Sequence, residues 1–326
     1  MHRASRKFSG RRVLVTGGFG FLGTNLIKAL GQYDCEIVRL GDHLDPDVSE
    51  KRAKVVNFSG DIRSPVVWEK ALRGVDIVFH LAAQTSETKA RADVVSDFAA
   101  NVVPVINLLE VCKRKRWHPD VFFAGSITEV GIPIRLPFDE SHSDNPATIY
   151  DLHKLIAEDY LGFYAKQGIL RGTTLRLAYV YGPGPKSSTA QRGVLNKMIK
   201  MAIGGEELTV WGRGSFLRDY IFVDDVVEAF ILAACHISKL NGRHFVIGTG
   251  KGYTILEAFK MVGETAAKKT GKKVKIVHVK PSQDQTSADT SSYVVSSKLF
   301  TKLTGWKPKL SLPKGIAATA DYFLEN

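Results

Sequence analysis

Val13-Leu14-Val15-Thr16-Gly17-Gly18-Phe19-Gly20-Phe21-Leu22-Gly23 decides how this chain of 326 residues is read. A β-branched run breaks into glycines and then opens an apolar helix. A strand, a glycine turn and a helix N-terminus in that order present backbone N–H groups to a pyrophosphate. Gly17 lets the chain reverse after the strand, Gly20 removes the Cβ that would keep a phosphate away, and Gly23 lets the helix press onto the sheet. The overlapping register that begins at Gly18 satisfies the same argument, so the glycines predict a dinucleotide site without fixing its class.

Further along, Glu36-Ile37-Val38-Arg39-Leu40 reads as the second strand and runs into Gly41-Asp42-His43. Asp42 stands roughly 20 residues beyond the last glycine, where a carboxylate can accept hydrogen bonds from an adenosine ribose. It favours NAD over NADP. A turn residue beside Asp45, Pro46 and Asp47 is the structural alternative, and Arg39, Lys51 and Arg52 keep a 2′-phosphate in play.

From Arg12 to about Val180, β-branched runs at 12–16, 36–40, 54–57, 76–80, 120–124 and 173–178 alternate with helical stretches at 21–31, 65–72, 93–116 and 148–167. Alternation of this kind predicts an α/β fold built on a Rossmann-type doubly wound parallel sheet. After Tyr181 the Gly182-Pro183-Gly184-Pro185 break is followed by shorter, less regular segments, which predict a smaller C-terminal α/β substrate lobe. The expected division is a dinucleotide-binding domain over 1–180, rejoined by a segment near 221–248, and a substrate lobe over 181–326.

With 44% hydrophobic residues the chain can bury a full core. No apolar run near the length needed to span a membrane is read, and Met1 to Gly10 is basic and polar without the apolar segment of a secretion signal, so a cytoplasmic protein is expected. Cys35, Cys112 and Cys235 are odd in number, widely spaced and set among apolar residues, and read as buried thiols rather than disulfides or a metal site. The formal charge of +12 gathers at Lys113-Arg114-Lys115-Arg116 and over Lys268 to Lys275. Neither cluster is interleaved with aromatic residues, so solvated helix ends are expected and no nucleic-acid partner. The same charge attracts anionic substrates.

Tyr150-Asp151-Leu152-His153-Lys154 opens a long amphipathic helix, and four residues of spacing put Tyr150 and Lys154 on one face. A lysine ammonium beside a phenol favours phenolate, and a nearby nicotinamide cation would favour it further, making Tyr150 a candidate general base toward an alcohol and acid toward a ketone. Tyrosine and lysine at this spacing are also ordinary helix surface; the glycine motif upstream argues for chemistry. Ser126, at the end of the fifth predicted strand, can share the substrate hydroxyl with Tyr150 or serve only as a turn residue.

These pieces resemble the extended short-chain dehydrogenases/reductases of the nucleotide-sugar epimerase and dehydratase group. The similarity runs from about Arg12 to Pro308 and includes Gly60-Asp61-Ile62, His80-Leu81-Ala82-Ala83, Asn101, Ser126, Tyr150 with Lys154, and Tyr181-Gly182-Pro183-Gly184. It continues through Arg218-Asp219-Tyr220-Ile221-Phe222-Val223-Asp224-Asp225 and Leu303-Thr304-Gly305-Trp306-Lys307-Pro308. The resemblance implies that Gly17, Gly20, Phe21, Leu22, Asp42, Asp61, Ile62, Leu81, Ala82, Ala83, Asn101 and Tyr179 line NAD, with Tyr150 and Lys154 at its nicotinamide ribose. It implies a nucleotide-sugar substrate met by Gln84, Ser126, Thr128, Tyr179, Val194, Trp211 and Arg218. Arg218 suits a pyrophosphate through its paired donors, and an ion pair with Asp219 or Asp224 is the structural alternative.

Members of this group oxidise a sugar hydroxyl to a ketone and differ in the fate of that ketone. Similar dehydratases carry an Asp-Glu pair after the Ser/Thr of this strand and similar decarboxylases a Glu two residues after it; this chain has Ile127 and Thr128. Ser-x-Thr resembles NAD-dependent 4-epimerases, in which the keto-sugar rotates and hydride returns to the opposite face. Tyr179 stands where such epimerases carry Asn, and Ser282-Gln283-Asp284-Gln285 stands where an arginine reaches the phosphates, so an unusual nucleotide sugar is expected rather than plain UDP-glucose. The alternatives are a net reductase, dehydrogenase or dehydratase of the same group and, from another class, a catalytically silent NAD-binding sensor or scaffold. In similar proteins the helices matching 93–116 and 148–167 form a dimer interface, and Ile106, Leu109, Ile156 and Tyr160 have the spacing to supply it.

Overall fold

Strands β1 (Arg11–Thr16), β4 (Ile77–His80) and β5 (Asp120–Ser126) carry consecutive apolar residues through their middles because both their faces are covered there. The computed structural model describes residues 2–42, 51–184, 193–280 and 289–325. Val13, Val15, Phe79 and Phe122 point into one apolar cluster, whereas Leu14, Val78, Val121 and Phe123 point into another across the sheet. Around them come α1 (His2–Phe8), α2 (Phe21–Leu30), β2 (Cys35–Gly41), β3 (Lys54–Ser59), α3 (Pro65–Ala71), α4 (Glu87–Ala92), α5 (Val94–Asn101), α6 (Val103–Lys115), α7 (Ile149–Lys166) and β6 (Arg171–Leu177). A later strand, Arg243–Ile247, returns to pair in parallel with β6.

The resulting seven-stranded sheet is parallel throughout, in the order Arg243–Ile247, β6, β5, β4, β1, β2, β3. Strand order reverses between β1 and β4, and the carboxyl ends of those strands flank the crevice where such sheets bind ligands. Strands Tyr179–Tyr181 and Leu217–Phe222 pair in parallel, with Gly252–Thr254 antiparallel on the far side. The remaining lobe packs helices Val194–Gly204, Ile255–Thr270 and Leu312–Glu325 together beside a parallel pair, Leu208–Trp211 with Ile276–Val279.

Two expectations change. The helix expected over 93–116 is two helices, because Pro104 has no N–H to continue the ladder through Val102. Taken together, Val94–Lys115 is long and apolar enough to cross a membrane by length and composition, unlike the sequence reading; in the fold α6 packs on α3, α5 and α7, and Leu108 and Leu109 are fully buried. The polar N-terminus forms α1, whose Phe8 is buried, its ring 5.2 Å from Tyr33.

All three cysteines are free thiols, Cys35 and Cys112 buried and Cys235 half-buried, and burial pushes Cys35 up to about 11. The basic clusters are balanced locally: Arg114 and Lys115 pair with Glu69, Lys269 with Asp321 and Lys275 with Glu207.

Candidate active site

Gly17 takes φ +63°, and a Cβ there would lie 2.9 Å from the Ala82 backbone. At Gly23 a Cβ would lie 2.2 Å from the Gly17 carbonyl oxygen, so its smallness serves the approach of α2 to the glycine turn. Gly20 caps α2 with extended backbone, and its N–H is spent on Gly17 O at 2.9 Å. Thr16 Oγ1, at the end of β1, accepts from Leu81 N and Ala82 N, drawing the chain after β4 against the turn. A strand end, left-handed glycine and helix N-terminus closed in by Leu81 and Ala82 form a cradle that a Cβ would fill, and these residues fit a dinucleotide pyrophosphate.

Phe21, Leu22, Ile62 and Ala83 are half-buried around this cradle, and Asp42 is exposed just past β2. Arg39 does not reach outward as a 2′-phosphate ligand would need. It is buried under the turn, donating from Nε to Gly18 O at 3.0 Å with its guanidinium carbon 3.8 Å from the Phe19 ring centre. His43 and the Asp45-Pro46-Asp47 stretch lie outside the described residues. Asp61 is half-exposed and turned onto Arg63, with 2.7 Å between charged groups, and the guanidinium holds its carboxyl below the usual range.

At the carboxyl end of β5, Ser126 Oγ lies 2.7 Å from Thr128 Oγ1. Thr128 Oγ1 donates to Asp151 Oδ1, and Thr148 Oγ1 donates to Asp151 Oδ2 at 2.8 Å. These bonds tie the exit of β5 to the first turn of α7, where Tyr150 sits beside Asp151. Thr148 caps that helix, accepting from Asp151 N. Lys154, one turn on, is buried; Nζ donates to Ala124 O at 2.6 Å and lies 3.8 Å from the Phe123 ring centre. Burial lowers its proton affinity against the opposing pull of Glu129, Glu158 and Asp97.

The phenol departs from expectation. Burial and the carboxylates of Glu129, Asp151, Glu87 and Asp97 push Tyr150 well above its ordinary value, so without a bound cation it rests protonated despite Lys154.

Behind Ser126 lies a charged cluster that periodicity could not reveal. Glu129 Oε1 accepts from Ser126 N at 2.5 Å, and its Oε2 is 3.0 Å from Arg176 Nε. Arg176, 1% exposed, also meets Glu158 and both oxygens of Asp144, and His244 reaches Glu158 at 2.9 Å. A Glu after Ser-x-Thr was the available signal; only the fold turns it inward.

Two more of the expected site residues have partners within the fold. Asn101 is buried and spends both Nδ2 hydrogens on Gln84 O and Asp97 Oδ1, while its Oδ1 accepts from Gln84 N. Gln84 Nε2 donates to Asp97 and Ser86 O. Asp97 also meets His153 Nδ1 at 2.6 Å, so the Gln84–Asn101 pair braces the chain after β4 with no amide hydrogen of Asn101 left for a cofactor. Arg218, 6% exposed, forms no ion pair with Asp219 or Asp224. Its guanidinium donates to the carbonyls of Leu217, Ser291 and Asp289 and stacks 5.0 Å from Tyr179 and 5.8 Å from Tyr293. Asp219 instead accepts from Thr249 and Gly250, and Asp225 from Lys309 N and Leu310 N. Val194 and Trp211 are exposed on the second lobe. The Ser282–Gln285 stretch lies outside the described residues.

A dinucleotide cradle at a sheet switch point, facing a serine, a tyrosine and a lysine across the same carboxyl edge, defines an oxidoreductive α/β enzyme that works on a nicotinamide cofactor. The chain belongs to the NAD dependent epimerase/dehydratase family, matched over residues 13–248, a span that ends one residue beyond the returning strand. It is 27% identical over 328 residues to UDP-glucose 4-epimerase of Mycolicibacterium smegmatis, covering 96% of this chain and 98% of that one. Among solved structures, UDP-glucose 4-epimerase of Thermotoga maritima with UDP-glucose superposes with a TM-score of 0.86 at 28% identity, covering 96% of this chain and 99% of the other. The Thermus thermophilus enzyme in complex with NAD gives 0.83 at 28%, with the same coverage. NAD is the cofactor.

Proposed function

We propose that this chain is a nucleotide-sugar 4-epimerase in which Ser126, Tyr150 and Lys154 carry the chemistry. The turn after β5 carries the reading. Its one carboxylate, Glu129, is fully buried and held by Ser126 N and Arg176, so no acid–base pair stands there to eliminate a sugar hydroxyl. NAD, held at the Gly17–Gly23 turn, would supply the hydride acceptor and donor for the sugar carbon. Ser126 orients the reacting hydroxyl, Tyr150 exchanges a proton with its oxygen, and the Lys154 ammonium favours negative charge building on either. Tyr179 beside Arg218 narrows the substrate wall, which supports a sugar other than plain glucose.

The test is incubation of purified protein with UDP-glucose, UDP-glucuronate and UDP-N-acetylglucosamine without added NAD, followed by proton NMR. The C4 epimer should form, and denatured protein should release NAD. Release of carbon dioxide, loss of water from the sugar, or dependence on added reduced cofactor overturns the reading.

The same reading includes a cytoplasmic location, in keeping with three free thiols. It includes a domain division near residue 180, with 221–248 rejoining the cofactor domain. It also includes a homodimer through α5 and α7, where Val95, Phe98, Tyr160 and Phe163 are exposed; Leu109, expected on that face, is in the core. A monomer mass by light scattering at micromolar concentration overturns the dimer.

A further inference from the structure

Asp151 has no task in that epimerase chemistry. Its side chain is fully buried, and among the described residues its oxygens meet two threonine hydroxyls and no cation. A hydroxyl has one hydrogen. While Thr128 donates to an ionised Asp151, the Ser126–Thr128 contact can only be Ser126 donating, and Ser126 then offers the substrate a lone pair. With Asp151 protonated the chain can turn round: Asp151 donates to Thr128, Thr128 to Ser126, and Ser126 donates outward. The first arrangement suits a sugar alcohol and the second a sugar ketone.

We propose that Asp151 is the proton-holding end of this hydroxyl wire, taking the sugar hydroxyl proton through Ser126 and Thr128 as the alcohol becomes a ketone and returning it afterwards. The proposal rests on the epimerase reading and adds an outlet beside Tyr150. The sugar O–H bond breaks as a new Ser126 Oγ–H bond forms; the former Ser126 proton passes to Thr128 Oγ1, and the former Thr128 proton to Asp151 Oδ1. The carbon's hydride leaves to NAD, so a neutral ketone, two neutral hydroxyls and a carboxylic acid remain. Reversal restores the carboxylate.

The surroundings suit this task. Burial raises the Asp151 carboxyl to about 6, with Glu87 on α4 adding to it and the two threonine donors opposing. Proton affinity near neutrality suits a group that must both take and give. Tyr150 on α7 and Tyr293 from the second lobe also feel its charge, and both phenols are pushed upward. A protonated Tyr150 can donate to the same sugar oxygen whose proton leaves along the wire.

Asp151→Asn keeps an acceptor for Thr128 but cannot store the proton. Thr128→Val cuts the wire at similar volume, and Thr128→Ser restores the hydroxyl. With a sugar that the wild type epimerises, the first two should lower kcat about 100-fold with KM within about threefold and NAD content unchanged, while Thr128→Ser stays within about threefold of wild type. The acidic limb of the kcat/KM profile near pH 6 should vanish in Asp151→Asn. Wild-type kcat with an intact acidic limb, or a loss confined to KM or NAD content, overturns the proposal. If Asp151→Asn does not fold, equal activity of Thr128→Val and Thr128→Ser overturns it. Carboxyl-carbon NMR titration needs no substrate: loss of the Thr128 donor should raise the Asp151 midpoint, and an unmoved midpoint overturns the wire. Failure of the wild type on every sugar instead overturns the epimerase reading.

Discussion

Two turns at the carboxyl edge of one sheet do their work by different means. After β1, the Gly17–Gly23 turn presents backbone to its ligand side: a left-handed glycine, a missing Cβ against the Gly17 carbonyl, and peptide groups held close to Ala82, with Arg39 and Thr24 bracing Gly18 O from beneath. After β5, Ser126 to Val130 is shaped by side chains, with a serine–glutamate capping box and a hydroxyl chain to Asp151. A backbone turn can grip a ligand but cannot change its own charge. A turn wired through titratable side chains can exchange protons with what it holds, so the difference separates cofactor retention from chemistry.

The strongest test of that separation is Tyr150→Phe, expected to lower kcat by about 10³-fold, within the span of acid–base catalysis, while NAD stays bound. Turnover within a few fold of wild type would remove chemistry from the second turn. Arg218→Ala leaves the carbonyls of Leu217, Ser291 and Asp289 short of donors. It should lower stability by about 3 kcal/mol and weaken nucleotide-sugar binding without touching NAD content, read by thermal melts and calorimetry. Sugar affinity unchanged alongside a lower Tm would leave Arg218 a purely structural member of the wall.

Asp151 holds its proton more tightly folded than unfolded. Its contribution to stability is therefore full below the unfolded carboxylate range near pH 4 and is lost as pH rises through about 6. Compared with Asp151→Asn, the wild type should lose up to ~3 kcal/mol across that window in urea titrations at several pH values. Parallel pH profiles for the two proteins would contradict the burial that raises this carboxyl. The smallest effect, about 2 kcal/mol, is expected for Gly17→Ala, from left-handed strain and contact with Ala82. Its mark should be lost NAD, measured by absorbance of the denatured protein, with the pH dependence of stability between about 4 and 6 unchanged. Retained NAD would show that the grip lies elsewhere.

The glycine turn, the parallel sheet and the one-face relation of Tyr150 and Lys154 were legible in the sequence because each depends on neighbours in the chain: φ signs, burial of both strand faces, helical spacing. The helix break at Pro104 is equally local, and the apolar periodicity on either side of it masks it. Roles that require a distant partner were not legible. Glu129 looks like a surface acid until Arg176 from β6 meets it; that Gln84 and Asp97 use the amide hydrogens of Asn101, and that carbonyls near 290 surround the Arg218 guanidinium, is equally invisible along the chain. Tertiary structure also decided the resting charge of Tyr150, since the carboxylates of Glu129, Glu87 and Asp97 from distant segments add to burial and to the neighbouring Asp151 at a half-buried phenol. Sequence by itself determined where backbone geometry and periodicity constrain the chain, because those forces act between near neighbours. Only the folded structure decided which polar groups are spent on each other, because that depends on which distant segments the packing brings within hydrogen-bonding reach.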